Sequence, residues 1–261
     1  MDWIKTSRII FAVTMIAIGA VGLIGGAFAP IWLPVPKTFP ARELLAYLTS
    51  LVTLASGCGL LVKRTAAPAA LALLVLLVVW TLLFKGPPVV REPLVEGVYQ
   101  SLGENAVVIA GAWVLFAQSN GRRFGLRTAY IVYGLALIAF GLSHFFYVGL
   151  TAPLVPNWLP AHVFWAYFTG AVYLTTGIAL VTGFMMRIAA VVAAVQITLI
   201  TFIVWGTIVA AGHMSIFNQQ ETILSWTLTA AAWVIAASFE RGRWFSRLAV
   251  GGFAIRRFAR L

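Results

Sequence analysis

Long charge-free apolar runs, separated by short polar or proline-bearing stretches, organise the whole chain. They fall at about 9–29, 43–62, 66–84, 103–119, 128–149, 162–183, 188–211 and 221–239. A helix needs about 20 apolar residues to cross a hydrocarbon core about 30 Å thick, so each run predicts one membrane span. Helix breakers lie between runs: Pro30, Pro34, Pro36 and Pro40 after the first, Gly86-Pro87-Pro88 after the third, and Pro153, Pro156 and Pro160 after the fifth. The remaining loops are too short to hold a soluble domain. The expected fold is all-α, a polytopic membrane protein with eight transmembrane helices.

Composition narrows the class further. Of 261 residues, 62% are hydrophobic and 10% charged, against roughly 45–50% and about 25% in soluble domains. So few charged side chains cannot cover the surface of a soluble fold, which excludes a cytosolic enzyme, a disordered chain and a disulfide scaffold. Cys58 stands alone, so no intramolecular disulfide or paired-thiol redox motif can form. In Gly57-Cys58-Gly59 it reads as a small buried hydrophobe. Ala27-Phe28-Ala29 has the form of a signal-peptidase site. The apolar run before it is long for a leader and Pro30 follows the cut, so the first helix is read as uncleaved.

The net charge of +11 is an orientation signal. Fourteen of the 18 Lys and Arg residues fall at the N-terminus, in loops 2–3, 4–5 and 6–7, and in the C-terminal tail; Lys37, Arg42, Lys85 and Arg91 fall on the other side. Excess Lys and Arg marks the cytoplasmic face, which places both termini in the cytoplasm of a cell inner membrane. Residues 241–261 space six arginines among aromatic and aliphatic residues. This is the pattern of a basic amphipathic helix on anionic lipid headgroups, and it calls for no nucleic-acid partner.

The halves of the chain align at an interval of 120 residues. Pro40-Ala41 and Ala46-Tyr47-Leu48-Thr49 match Pro160-Ala161 and Ala166-Tyr167-Phe168-Thr169. Gly57 and Leu60 match Gly177 and Leu180, and Ala112-Trp113-Val114 matches Ala232-Trp233-Val234. The expected organisation is a tandem pair of four-helix bundles, 1–120 and 121–240, followed by the tail 241–261. With an even number of spans per unit the repeats run parallel, not inverted as in many alternating-access carriers.

All three histidines map to one end of the second unit: His144 near the end of the fifth span, His162 opening the sixth, and His213 just past the seventh. Glu221 opens the eighth, and Tyr147 lies one helical turn from His144. Ionisable groups within membranes are expensive and tend to be functional, so these five residues form the candidate polar site, which could serve as a metal site, a haem or quinone pocket, or a proton relay. The alternative is that they are interfacial imidazoles in contact with water. No spacing resembles HExxH or another metal motif. The second unit is therefore expected to hold the polar equipment. Glu104 and Asn105 open the fourth span, and Gln196 and Thr198 lie inside the seventh, where a hydrogen bond to a neighbouring helix is the expected role. Trp32, Trp158, Tyr147 and Trp205 are read as an interfacial aromatic belt.

Gly141-Leu142-Ser143-His144-Phe145, Pro156-Asn157-Trp158-Leu159-Pro160, Tyr167-Phe168-Thr169-Gly170 and Thr176-Gly177-Ile178-Ala179-Leu180 resemble the DoxX-like family of bacterial four-helix membrane proteins. The second unit carries most of the likeness; the first shares Ala46-Tyr47-Leu48-Thr49 and Gly57-Cys58-Gly59-Leu60. The family normally has one such unit, so a fused pair departs from it. The resemblance implies a non-catalytic or quinone-proximal subunit, or an anchor, of a redox assembly with a redox partner protein. Two other functions compete with it: a small-solute or proton-coupled transporter, and a quinone-linked oxidoreductase using the histidine site.

Overall fold

The computed structural model describes residues 2–121, 125–212 and 215–239. Eight long helices are found among them: α1 (Trp3–Gly25), α2 (Arg42–Leu61), α3 (Ala66–Arg91), α4 (Glu96–Ser119), α5 (Leu126–Phe146), α6 (His162–Thr182), α7 (Met186–Ala210) and α8 (Ile216–Ala237). Among the described residues, α1 to α7 are long and apolar enough to cross a membrane. The eighth is equally long but carries Asn218, Gln219, Gln220 and Glu221 near its start and is largely buried among the others. The amphipathic tail expected at 241–261, with Arg122 and Arg123 of loop 4–5, lies outside the described residues.

Burial is arranged as a bilayer requires. Ile24, Leu82 and Phe146 are 88%, 68% and 76% exposed, whereas Thr49, Ser50, Thr53, Asn105 and Thr227 are buried. Water would penalise such an outer face, but lipid tails do not. Many of the inner hydroxyls donate to their own helix one turn back: Thr14 to Ile10 O at 2.9 Å, Thr53 to Thr49 O at 2.6 Å and Thr176 to Val172 O at 2.7 Å. The chain is a multi-pass helical membrane protein.

Each helix packs against the next in chain order, α8 returns to α1, and α4 crosses α8 at the centre. Small residues set the closest approaches, since lipid offers no hydrophobic drive between helices and backbone proximity must supply the packing. A Cβ on Gly177 of α6 would lie 2.6 Å from Gly134 O of α5, and one on Gly57 of α2 would lie 2.8 Å from Ala12 O of α1. At the α4–α8 crossing Gly111 lies against Ala231, where an added Cβ would sit 3.1 Å from the alanine's.

Local features recur 120 residues apart. Ala41 and Ala161 precede α2 and α6 in left-handed conformation, with φ of 52° and 59°. Both α3 and α7 contain a π turn, at Thr81–Lys85 and Thr201–Gly206. In each, the leading threonine bonds the neighbouring helix: Asn105 Nδ2 donates to Thr81 Oγ1 at 3.0 Å, and Thr201 Oγ1 pairs with Ser225 Oγ at 2.7 Å.

Three expectations need correction. The third run does not stop before Gly86-Pro87-Pro88. The π turn carries α3 through them to Arg91, because the prolines sit at the start of a new α-helical turn, where their missing N–H costs nothing. Cys58 is exposed on the outer face of α2, since its neighbour Gly57 takes the position against α1. Trp32 and Trp205 belong to the interior, 0% and 6% exposed. Trp32 packs edge-on to Trp80 at 5.3 Å and accepts the Trp80 Nε1 hydrogen bond at its carbonyl, 2.9 Å away. Trp158 is 64% exposed, as a belt residue would be.

Candidate functional site

The densest polar region lies at the end of the bundle where α3, α5 and α7 finish and α4, α6 and α8 begin. Its inner part comes from the first half of the chain. The π turn of α3 adds a residue to one turn, re-aiming the positions after it, and Lys85 at its last position is 2% exposed. Lys85 Nζ donates to Ser101 O of α4 at 3.3 Å. One turn further along α4, Glu104 is 6% exposed and accepts from Gln100 Nε2 at 3.0 Å. Lys85 and Glu104 interact electrostatically. Asn105, 0% exposed, bridges to Thr81 through its amide nitrogen and leaves its Oδ1 without a partner.

The second half supplies the outer part. Ser143 of α5 donates a hydrogen bond to Glu96 Oε1 at the start of α4. Glu96 lies at the same end of the bundle as His144, Glu221 of α8 and Glu104, within reach of their electric fields but with no hydrogen bond to any of them. His144 is half-buried, its Nδ1 lies 2.8 Å from Phe140 O, and its ring meets that of Tyr173 at 5.6 Å. Tyr147 donates its hydroxyl to Leu94 O at 2.9 Å, which ties the end of α5 to the turn before α4. Lys85 and Glu104 are buried, where a charge is costly unless neutralised, while Glu96 and Glu221 stand half-buried at the same end.

Of the five candidates read from the sequence, His144 and Tyr147 stand beside the start of α4, through the Ser143–Glu96 and Tyr147–Leu94 hydrogen bonds. Glu221 lies in the second turn of α8 at the same end of the bundle. His162 opens α6 and is half-buried, and among the described residues no hydrogen bond or ring contact joins it to His144. His213 lies outside the described residues. The expectation that the second unit holds the polar equipment is corrected: Lys85, Glu96, Gln100 and Glu104, all from the first half, form the core of the cluster. The third apolar run ends at residue 84, which left Lys85 outside the predicted spans, and only the continuation of α3 brings it inside. The signal available in the sequence was Glu104-Asn105 within an otherwise apolar span. Gln196 does take the expected interhelical role, donating from Nε2 to Thr169 O at 3.1 Å. Thr198 accepts from Trp233 Nε1 at 3.0 Å.

The cluster offers donors and acceptors able to hold and pass protons. Among the described residues, no group of three or more His, Cys, Asp or Glu side chains is arranged to hold a metal ion. Comparison of the chain with known protein families, with curated proteins and with solved structures finds no match.

Proposed function

We propose that the chain is a DoxX-like inner-membrane protein of two fused four-helix units that couples proton binding to transport of a small solute. The proton site is Lys85 and Glu104, and the polar end of the bundle faces away from the cytoplasm. The features that recur at 120-residue spacing support the duplicated organisation, and the distribution of Lys and Arg supports the orientation.

One observation carries the functional reading. Lys85 and Glu104 are buried at positions where the second half has Trp205 and Leu224, which are buried too. The same scaffold position therefore accepts an apolar pair. Ionisable groups retained inside a membrane bundle are expensive and mark ion or proton pathways, and buried charge pairs often stabilise no more than apolar substitutes. A passive anchor for a redox partner, the role implied by the resemblance, has no use for them.

The test is infrared difference spectroscopy of the protein in nanodiscs as pH is changed. A buried carboxyl band that titrates in the wild type and disappears in Glu104→Gln is the expected result. Absence of such a band, or its persistence in E104Q, removes the proton site and the carrier reading with it.

A further inference from the structure

We infer that the solute is uncharged and carries a hydrogen-bond donor beside an acceptor, as a primary carboxamide does. Its donor meets Asn105 Oδ1 and its acceptor meets the Lys85 ammonium. This rests on the carrier reading above and names the class of solute that site takes.

Two hydrogen-bonded rungs between α3 and α4 frame the site. Asn105 Nδ2 donates to Thr81 Oγ1 at 3.0 Å, and Lys85 Nζ donates to Ser101 O at 3.3 Å. Thr81 and Lys85 stand at the two ends of the π turn of α3, and Ser101 and Asn105 stand one turn apart on α4. Asn105 and Lys85 therefore occupy neighbouring levels of one interhelical seam.

The orientation of the Asn105 amide is fixed by its neighbour. A threonine hydroxyl has one proton to give, and Thr81 gives it to Leu77 O at 2.8 Å. Towards position 105, Thr81 Oγ1 then only accepts, so the amide must present Nδ2 to it. The atom left over is Oδ1, a pure acceptor on a residue 0% exposed, with no partner among the described residues. Whatever meets it must bring an N–H or O–H.

The π turn of α7, 120 residues on, shows that packing does not call for this acceptor. Thr201 gives its proton to Ile197 O at 2.9 Å and receives the hydroxyls of Ser225 at 2.7 Å and Thr229 at 2.8 Å. Each of the three hydroxyl protons has an acceptor inside that network. Serine at 225 holds its threonine with a single donor, which is all that position 105 needs for the same task. The Asn105 Oδ1 is surplus to the fold, and a buried polar atom without a partner is costly.

Lys85 supplies the complementary half. Its ammonium has three N–H donors, of which Ser101 O takes one. Among the described residues no hydrogen bond joins Lys85 to Glu104, which accepts instead from Gln100 at 3.0 Å. A lysine and a glutamate buried together leave no net charge, so an ion entering beside them would stand uncompensated. A charged solute is disfavoured for that reason. An uncharged one with donor and acceptor side by side satisfies Asn105 and Lys85 together.

The test uses isotopically labelled acetamide as the probe, whose carbonyl band is displaced from those of the protein. The full chain in nanodiscs is titrated with it at constant pH and followed by infrared difference spectroscopy. A bound-probe band that saturates with concentration is the expected result. Acetone matches acetamide in size but lacks the N–H, and should bind at least about tenfold more weakly, the scale of one lost buried hydrogen bond. Asn105→Ser, which copies Ser225, should weaken acetamide by a similar factor. A signal that does not saturate, equal binding of acetone, or wild-type affinity in N105S overturns the assignment. Tighter binding of acetate or methylammonium than of acetamide overturns it as well, since the site would then take an ion. If N105S does not fold, the contrast between acetamide and acetone in the wild type still decides. Failure of the proton site is read separately, from the Glu104 carboxyl band of the protein without probe.

Discussion

Gly111 and Ala231 meet where α4 crosses α8, and they stand 120 residues apart in the chain. Positions 120 residues apart thus touch each other where α4 and α8 cross. Ala110, Ala112, Ala230 and Ala232 surround them, all 0–1% exposed. Side chains this small let the two backbones come close together, which is how helices pack tightly in lipid.

This crossing is sensitive to side-chain volume. Gly111→Leu should force α4 and α8 apart and lower stability by about 1–3 kcal/mol, the usual cost of overpacking. Gly111→Ala should be milder, since the nearest atom is a methyl group at 3.1 Å. Thermal unfolding in detergent, followed by circular dichroism, ranks the two; equal midpoints would argue against a tight crossing.

A second contrast concerns helix glycines that differ only in what lies beyond them. Gly177→Ala places a methyl 2.6 Å from the backbone oxygen of Gly134, which has little freedom to move, so α5 and α6 must separate. Gly97, in the first turn of α4, has nothing within 4 Å of an added Cβ. There alanine should stabilise by roughly 0.5–1 kcal/mol through reduced backbone entropy. Opposite shifts in melting temperature are the expected pair of results.

The charge cluster predicts a double-mutant pattern. Lys85→Ala or Glu104→Ala alone leaves an uncompensated buried charge and should cost about 3–5 kcal/mol. The double variant K85W/E104L copies the apolar pair of the second half, Trp205 and Leu224, and should fold with stability near wild type. It should also lack the titrating carboxyl band. A double variant no more stable than the singles would show that these positions do not tolerate the second half's solution.

Arg127 closes the far end of α6. Its guanidinium donates to Leu180 O at 2.6 Å and Val181 O at 2.5 Å, two carbonyls of the last turn that have no partner within the helix. Arg127→Leu should destabilise by about 1–3 kcal/mol, the cost of leaving buried acceptors unsatisfied. Arg127→Lys should recover only part, because an ammonium lacks the planar fork that spans two oxygens. Unfolding midpoints of the two variants measure the difference.

The elements of this protein were legible in the sequence wherever one helix sufficed to define them. The eight helices follow from runs of apolar residues, and their approximate ends follow from prolines, glycines and charges. His144, Tyr147 and Glu221 were identifiable as polar groups clustered at one end of the spans. Cys58 was misplaced because an apolar neighbourhood does not say which side of a helix faces lipid. In a membrane, both faces of a span are apolar, so the contrast that orients a helix in water is missing.

Lys85 was misplaced for a different reason. Gly86-Pro87-Pro88 has the composition of a turn, and nothing local distinguishes a break from a π turn feeding a further helical segment. That choice is made by the neighbours: Asn105 bonds Thr81 at the head of the turn and Ser101 receives the lysine at its foot. The sequence by itself determined that the chain is a helical membrane protein, because hydropathy and helix length act over about 20 consecutive residues. Only the tertiary structure decided that Lys85 and Glu104 are buried at one end of the bundle, with Glu96 and Glu221 half-buried at that same end. Their energies depend on what each meets across the helix interfaces, and that information is not contained in any single span.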